Sequence, residues 1–547
     1  WPRDRAERRS NPTPMKMDHM KHLTTLLLIA LATASSAQQN YSRAHNRMLD
    51  EAKVYLANGQ YVDATKIYRK LIPVDTTFAE VYFEMGYCLS RVPGMRDRAY
   101  AYLERGVALG HTEAHYELAT VRHRQQRFDE AIELLVNYKT IFHRGVPDAE
   151  IDRMIAMSNT AKQLVQAPLE LEIRNMGAMI NSPQHDYCPL VTADGNTMYF
   201  TSRREGTTGS LRDPNGQYME DIYVARRVDE VWSNATNAGV PLNTIVQDAT
   251  VGLSPDGEGM IIYRTSAGLA SGDLYETRRQ DGLWQMPTLM TDQINGTAHE
   301  PSASISPDGN EVYFTSDREG GFGGRDLYRI RRLPNGEWSF PLNLGPQINT
   351  AYDEDAPFIH SDGMTLFFSS TGHNTMGGYD IFKSALVDAD MNGWSVPENM
   401  GYPLNTVNDD IYFCMSEDGT TGYFSSERQG GLGAQDVYQV NFPGSQIEYL
   451  VVRGVVTDET ESPVRARIVL KDAANEGIVG VYTTNNNTGR YIMVLQPGEN
   501  YHYGVEALGY EPYFSGLSAV VPEGVNEMPH DIILQRNERT ARAQTTE

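Results

Sequence analysis

Cysteine is nearly missing from this sequence. Cys88, Cys188 and Cys414 are the three in 547 residues; none are closely spaced and the number is odd, so neither a disulfide framework nor a cysteine-based zinc site is encoded. Three small buried hydrophobes are expected instead. Positive charge is also short: 47 Lys and Arg stand against 71 Asp and Glu, a net charge of −24. A surface that negative argues against nucleic acid or anionic lipid as the main partner and favours cations or a basic partner protein. Catalytic signatures are lacking as well. Gly516-Leu517-Ser518-Ala519-Val520 misses the last glycine of a nucleophile elbow, and His299-Glu300-Pro301-Ser302-Ala303 fails at the final position of His-Glu-x-x-His. Gly320-Gly321-Phe322-Gly323-Gly324 links two strands without a following Lys-Ser/Thr, so it is no phosphate loop. The chain reads as a non-enzyme without cofactor or metal; a hydrolase whose acids converge without a linear motif stays open as an alternative.

What is plentiful is repetition. Ser306-Pro307-Asp308-Gly309 turns into the alternating strand Glu311 to Ser316, a glycine-rich loop follows, and Asp326-Leu327-Tyr328 opens the next strand. Asp-Gly pairs begin at Asp194, Asp256, Asp308, Asp362 and Asp418, spaced by 62, 52, 54 and 56 residues. Repeats of that length and strand content predict the blades of a β-propeller over residues 169–445. Trp232, Trp284, Trp338 and Trp394 open the fourth strand of a unit, and the fifth unit has no such strand. Leu171 to Gly177, followed by Ile180-Asn181-Ser182, matches the missing piece, so the N-terminal strand is expected to complete the last of five blades and close the ring.

Antiparallel strand order puts the inter-blade loops and the glycine-rich loops on one face. That face collects Asp186, Asp248, Glu300, Asp353, Asp355, Asp409 and Asp410, with Arg203, Arg318 and Arg428 beside them. Two readings stay open. One is a charged mouth for a peptide or polar ligand, with Asp353, Asp355, Asp409, Asp410, Arg318 and Arg428 as candidate partner-binding residues. The other is a set of ion pairs and turn caps that hold the blades in register. Asp388-Ala389-Asp390-Met391-Asn392-Gly393 matches the first half of an EF-hand loop, but position twelve is Asn399, and an enlarged turn is expected there.

Before the propeller, residues 41–165 repeat small residues at helical-pair spacing: Ala52, Gly86 and Ala119 lie 34 and 33 apart, and Ala64, Ala99 and Ala131 lie 35 and 32 apart. Such positions mark close helix crossings, giving three helix pairs and a capping helix, Asp148 to Val165. The array offers either a concave surface for a partner or a rigid spacer. His111 and His115, four apart, find no third ligand at matching spacing and are not expected to bind metal. After the propeller, residues 449–536 alternate in short strands and predict a small β-sandwich, with a polar tail over 537–547.

At the start, Met20-Lys21-His22, the apolar run Leu23 to Ala34 and Ser35-Ser36-Ala37 read as a secretory signal peptide, with residues 1–19 as an upstream extension. Removing residues 1–37 takes away six basic and three acidic residues, so the mature chain from Gln38 is more acidic still. The run is too short to span a bilayer, no Cys follows it to carry a lipid, and no later stretch is long and apolar enough to cross a membrane. The expected product is exported, periplasmic and soluble.

These motifs resemble known families. Gly59-Gln60-Tyr61-Val62-Asp63-Ala64 and Gln126-Arg127-Phe128-Asp129-Glu130-Ala131 resemble the second half of a tetratricopeptide (TPR) repeat. Ser254-Pro255-Asp256-Gly257 and Ser306-Pro307-Asp308-Gly309, with their aromatic-Thr/Ser strands, resemble the Pro-Asp propellers related to the C-terminal domain of TolB. The strand order of residues 449–536 is similar to the carboxypeptidase regulatory-like, transthyretin-type domain, a noncatalytic module. The combination resembles the PorE-like, OmpA-family envelope proteins associated with type IX secretion and gliding. That resemblance implies a noncatalytic scaffold whose partners are envelope or secretion-system proteins, including outer-membrane or peptidoglycan-associated ones. Such proteins carry a lipid anchor and a C-terminal OmpA-like domain, and neither is seen before Glu547, so a position peripheral to the outer membrane is expected. A propeller binding a peptide or glycan is the alternative.

Overall fold

Small residues at regular spacing draw the first part of the chain into stacked helices. In the computed structural model these are α1 (Arg43–Ala57), α2 (Tyr61–Leu71), α3 (Ala79–Arg91), α4 (Ala99–Ala108), α5 (Glu113–Arg124), α6 (Phe128–Ile141) and α7 (Asp148–Gln166). The structure describes residues 41–537 apart from 93–94, 142–144, 214–215, 230, 255, 267–270, 389–391, 445–449, 475–476, 485–487, 496 and 521–526. The expected leader, the tail beyond Asn537 and the middle of the EF-hand lookalike lie outside the described residues. The chain divides after Ser158 into two compact units.

In the helical unit, Ala52, Ala64, Ala99, Ala119 and Ala131 are all fully buried. Gly86 shows why the positions must be small: a Cβ there would lie 2.6 Å from Leu103 Cγ, across the α3–α4 contact. Tyr68, Leu71, Met85 and Leu103 fill the core between the pairs. Ser42 starts α1 as a cap, its hydroxyl accepting the His45 N–H at 3.3 Å. Of the described carboxylates buried in this unit, Glu84 is the one left short of donors. Glu84 on α3 has Lys53 Nζ at 3.7 Å, yet its Oε2 and the nearby Tyr68 hydroxyl are buried without a hydrogen-bond partner. Burial pushes the Glu84 carboxyl up to about 8 against the pull of Lys53.

The β unit holds five antiparallel sheets built to one plan. Each starts with a first strand (Asp186–Val191, Asp248–Leu253, Ala303–Ile305, Glu354–Ile359, Asp410–Met415) and adds the second and third strands outward. Short strands such as Val231–Trp232, Leu283–Trp284, Leu342–Asn343 and Gly393–Trp394 finish the first four. The last sheet is finished by Glu172–Asn175, paired antiparallel with Tyr438–Asn441, the pairing that the sequence pattern predicts. Five hydrophobic clusters join neighbouring sheets in a cycle. Leu190 and Met260 share one across the first and second sheets, Val251 and Phe314 the next, Tyr313 and Phe368 the third, and Phe367 and Phe424 the fourth. Phe200 of the first sheet and Tyr423 of the fifth share the closing one.

The Asp-Gly pairs make the hairpin turns. Gly195, Gly257, Gly309, Gly363 and Gly419 have φ between +69° and +72°, where a Cβ would be strained. Around Asp308, the Ser306 hydroxyl donates at 2.6 Å and the Asn310 N–H at 3.0 Å to one carboxylate oxygen, which locks the turn. Beyond the ring, two four-stranded sheets enclose one core of Val452, Ile468, Leu470, Met493, Tyr503 and Val505. Leu450–Asp458 pairs antiparallel with Arg490–Leu495 and parallel with Glu527–Pro529 and Ile532–Leu534.

Candidate functional site

The charged residues of the inter-sheet loops are bonded to one another in a scheme that repeats around the ring. Asp186, Asp248, Glu300, Glu354 and Asp410 occupy the same place, at or just before the start of each first strand, and are at most 1% exposed. Arg204 meets Asp186 at 2.5 Å, Arg264 meets Asp248 at 2.5 Å, Arg318 meets Glu300 at 3.3 Å and Arg428 meets Asp410 at 2.8 Å. In the fourth sheet Ser370 donates to Glu354 at 2.7 Å, and His373 takes over the arginine's bond to the loop carbonyl, at 2.8 Å from Ile348 O. The arginines also lie over rings of their own sheets: Arg318 is 4.8 Å from the Phe314 centroid and 5.0 Å from Tyr328, and Arg428 repeats both distances with Phe424 and Tyr438. Each loop Asn completes the scheme; Asn349 accepts from Leu327 N at 2.7 Å and donates to Leu327 O at 3.0 Å.

This places the six candidate residues. Asp410 and Arg428 are brought together, and Arg318 is bonded to Glu300, so these three hold the loops instead of facing solvent as free charges. Asp355 is 2% exposed and accepts from Arg325 Nη1 at 2.6 Å and from the Ser302 hydroxyl. Asp353 and Asp409 are half-buried and each caps a glycine-rich loop, accepting from Arg325 N and Tyr379 N at 2.9 Å. Sequence reasoning missed Glu354, Arg204 and Arg325. Counting four residues from each loop Ser/Thr would have found Glu354, and it is Arg204, not Arg203, that matches Arg318 and Arg428; Arg203 pairs with Asp213 at 2.7 Å.

Bulges shape the inner surface of the ring. Cys188, Ala356 and Tyr412 interrupt their first strands with φ of +52°, +52° and +58°. At the loop end, Tyr187 stacks on Tyr412 with centroids 5.7 Å apart. Burial raises both phenols well above their ordinary value, and Glu220 and Asp355 add to it. A concavity opens at the other end. A cavity of about 590 Å³ is lined by residues of all five first strands and their flanks, including Leu190, Leu253, Ile305, Ile359 and Met415, and by the turn residues Asp194, Asp256 and Pro307. The turns thus lie at the end of the first strands opposite the inter-sheet loops, and the cavity opens among them. Among the described residues, no group of three His, Cys, Asp or Glu could hold a metal ion. His111 is stacked on Phe83 at 4.3 Å.

The chain is a multidomain protein of stacked helices followed by antiparallel β-sheet units. No family model and no curated protein matches it. Among solved structures, a putative TolB from Agrobacterium tumefaciens is 16% identical over 50% of this chain and 98% of its own, with a TM-score of 0.27. TolB from Acinetobacter baumannii is 14% identical over 55% of this chain and 72% of its own, with a TM-score of 0.28. For the helices, MamA is 25% identical over 22% of this chain and 66% of its own, with a TM-score of 0.21.

Proposed function

We propose that the five sheets are the blades of a closed five-bladed propeller, preceded by a TPR-type array and followed by a transthyretin-like sandwich, and that the protein is a noncatalytic scaffold of the cell envelope. One observation carries this reading. Four of the five loop acids are paired with arginines that also hold the loop leading into their sheet, so these charges are spent on structure instead of acid, base or electrophile work. What is left for function is surface. The leader-like run at 20–37 supports export to the periplasm, peripheral to the outer membrane, and the domain combination supports partners of the type IX secretion kind. Affinity capture from a solubilised envelope tests the reading. Recovery of envelope or secretion components is expected, and recovery of none sinks it.

The turn-end cavity favours a second reading, a peptide or glycan held on the ring axis. Leu253→Trp would fill that space. Loss of binding to a peptide or glycan array with the fold intact supports it, and unchanged binding counts against it.

A further inference from the structure

Four of the five inter-sheet loops satisfy their buried acid in one way, and the fifth does not. In those four, the residue after the loop Asn is Ser182, Thr244, Thr350 or Thr406, and its N–H and hydroxyl both donate to the acid four residues later at 2.6–2.7 Å. Between the second and third sheets that residue is Gly296, which has no hydroxyl. Its acid, Glu300, is 1% exposed. Glu300 Oε1 accepts from the Ser316 hydroxyl at 2.7 Å and from Arg318 at 3.3 Å, while Oε2 is buried with no hydrogen-bond partner. A carboxyl oxygen buried without a partner is an unfilled hydrogen-bonding position.

Glu300 lines a cavity of about 380 Å³ together with Gly296, Asp292, Asp317, Arg318 and Glu319. Four carboxylates and a single guanidinium thus line it, and Arg318 also bonds Ser316 Oγ at 2.9 Å and Ile294 O at 2.9 Å. We propose that this cavity receives the ammonium group of a lysine side chain from a basic partner protein. The space is roughly ten times the volume share of one water. An ammonium carries three donors on a narrow, flexible stem, which can reach an oxygen recessed below a rim of acids, whereas the planar guanidinium is wider. Among the described residues no group of three His, Cys, Asp or Glu, these carboxylates included, is placed to hold a metal ion, and an organic cation does not need such a cluster. The chain's net charge of −24 complements a basic partner.

The inference rests on the scaffold reading only for the identity of the chain that bears the lysine. Fluorescein-labelled tetralysine and its fully acetylated form, titrated by anisotropy onto the full-length protein, test the pocket directly. The expected result is binding of tetralysine and not of the acetylated form. Gly296→Thr rebuilds the hydroxyl of the other four loops; a Cβ there meets nothing within 4 Å, so the ring tolerates it. It should weaken tetralysine binding about tenfold or more with the melting temperature unchanged or raised, and Glu300→Gln should weaken it comparably. Asp308→Asn, at the turn end, should leave it within about twofold. Equal binding by Gly296→Thr, equal binding of acetylated tetralysine, or no binding by the wild type would each overturn the proposal. So would calcium chloride raising the melting temperature of the wild type but not of Gly296→Thr, which would assign the cavity to a metal. Failed envelope capture with tetralysine binding intact would sink the scaffold reading alone.

Discussion

Buried carboxylates are served differently in the helical unit and in the ring. Glu84 sits on α3, where backbone N–H groups are consumed by the helix, so only side chains can serve it, and Oε2 goes without. Glu354 is as dry, but it heads a strand after a loop. There the Thr350 N–H, the Thr350 hydroxyl and the Ser370 hydroxyl, all at 2.7 Å, satisfy both of its oxygens. Burial raises both carboxyls, and in Glu354 these donors oppose the rise. Loops can hand spare N–H groups to an acid; helix interiors cannot. This is why the ring can use acids repeatedly as fasteners, whereas a carboxylate on a helix depends on side chains alone.

Breaking a fastener should have the largest effect. Asp410→Ala would strip Arg428, Ser426 and the Thr406 N–H of their common acceptor and is expected to destabilise the ring by about 3–5 kcal/mol, read by urea unfolding. Glu84→Gln should act in the opposite direction. The folded carboxyl is raised from 4.5 to about 8, so stability at this site is full below about pH 4.5 and is lost as pH rises toward 8. The amide mimics the neutral acid, so a gain on the order of 2 kcal/mol at pH 8 and none at pH 4 is expected. Melts at the two pH values check this; an equal effect at both would mean that the site does not titrate. Asn349→Ala removes bonds to Leu327 N, Leu327 O and Asn343, and should cost about 1–3 kcal/mol. Smallest is Asp308→Ala in the exposed turn, at about 1 kcal/mol or less, because water replaces the lost acceptor.

Much of the fold was legible because its signals are local. Asp308-Gly309 reads as a turn since only glycine sits comfortably at φ +69°, and the period of such turns counts the sheets. The closing strand was legible from the repeat, because Leu171 to Gly177 matches the fourth strand that the last unit lacks; its register, Glu172 opposite Asn441, came from the structure. The site was less legible. Asp353, Glu354 and Asp355 stand in a row, and the sequence does not say which faces inward; a strand's twofold alternation, broken here by the Ala356 bulge, decides it. Arg203 and Arg204 posed the same choice.

The sequence alone determined the helical spacing, the hairpin turns and the closing strand, because each depends on residues close together or on a pattern repeated in register. Tertiary structure alone decided which acids are spent on arginines, that the larger cavity opens between the turns, and that Glu300 keeps an oxygen without a donor. Each of those depends on what a neighbouring sheet or loop places against the residue. The meaning of Gly296 is the clearest case: it is one glycine among 47 in the sequence, and a missing hydroxyl in the fold.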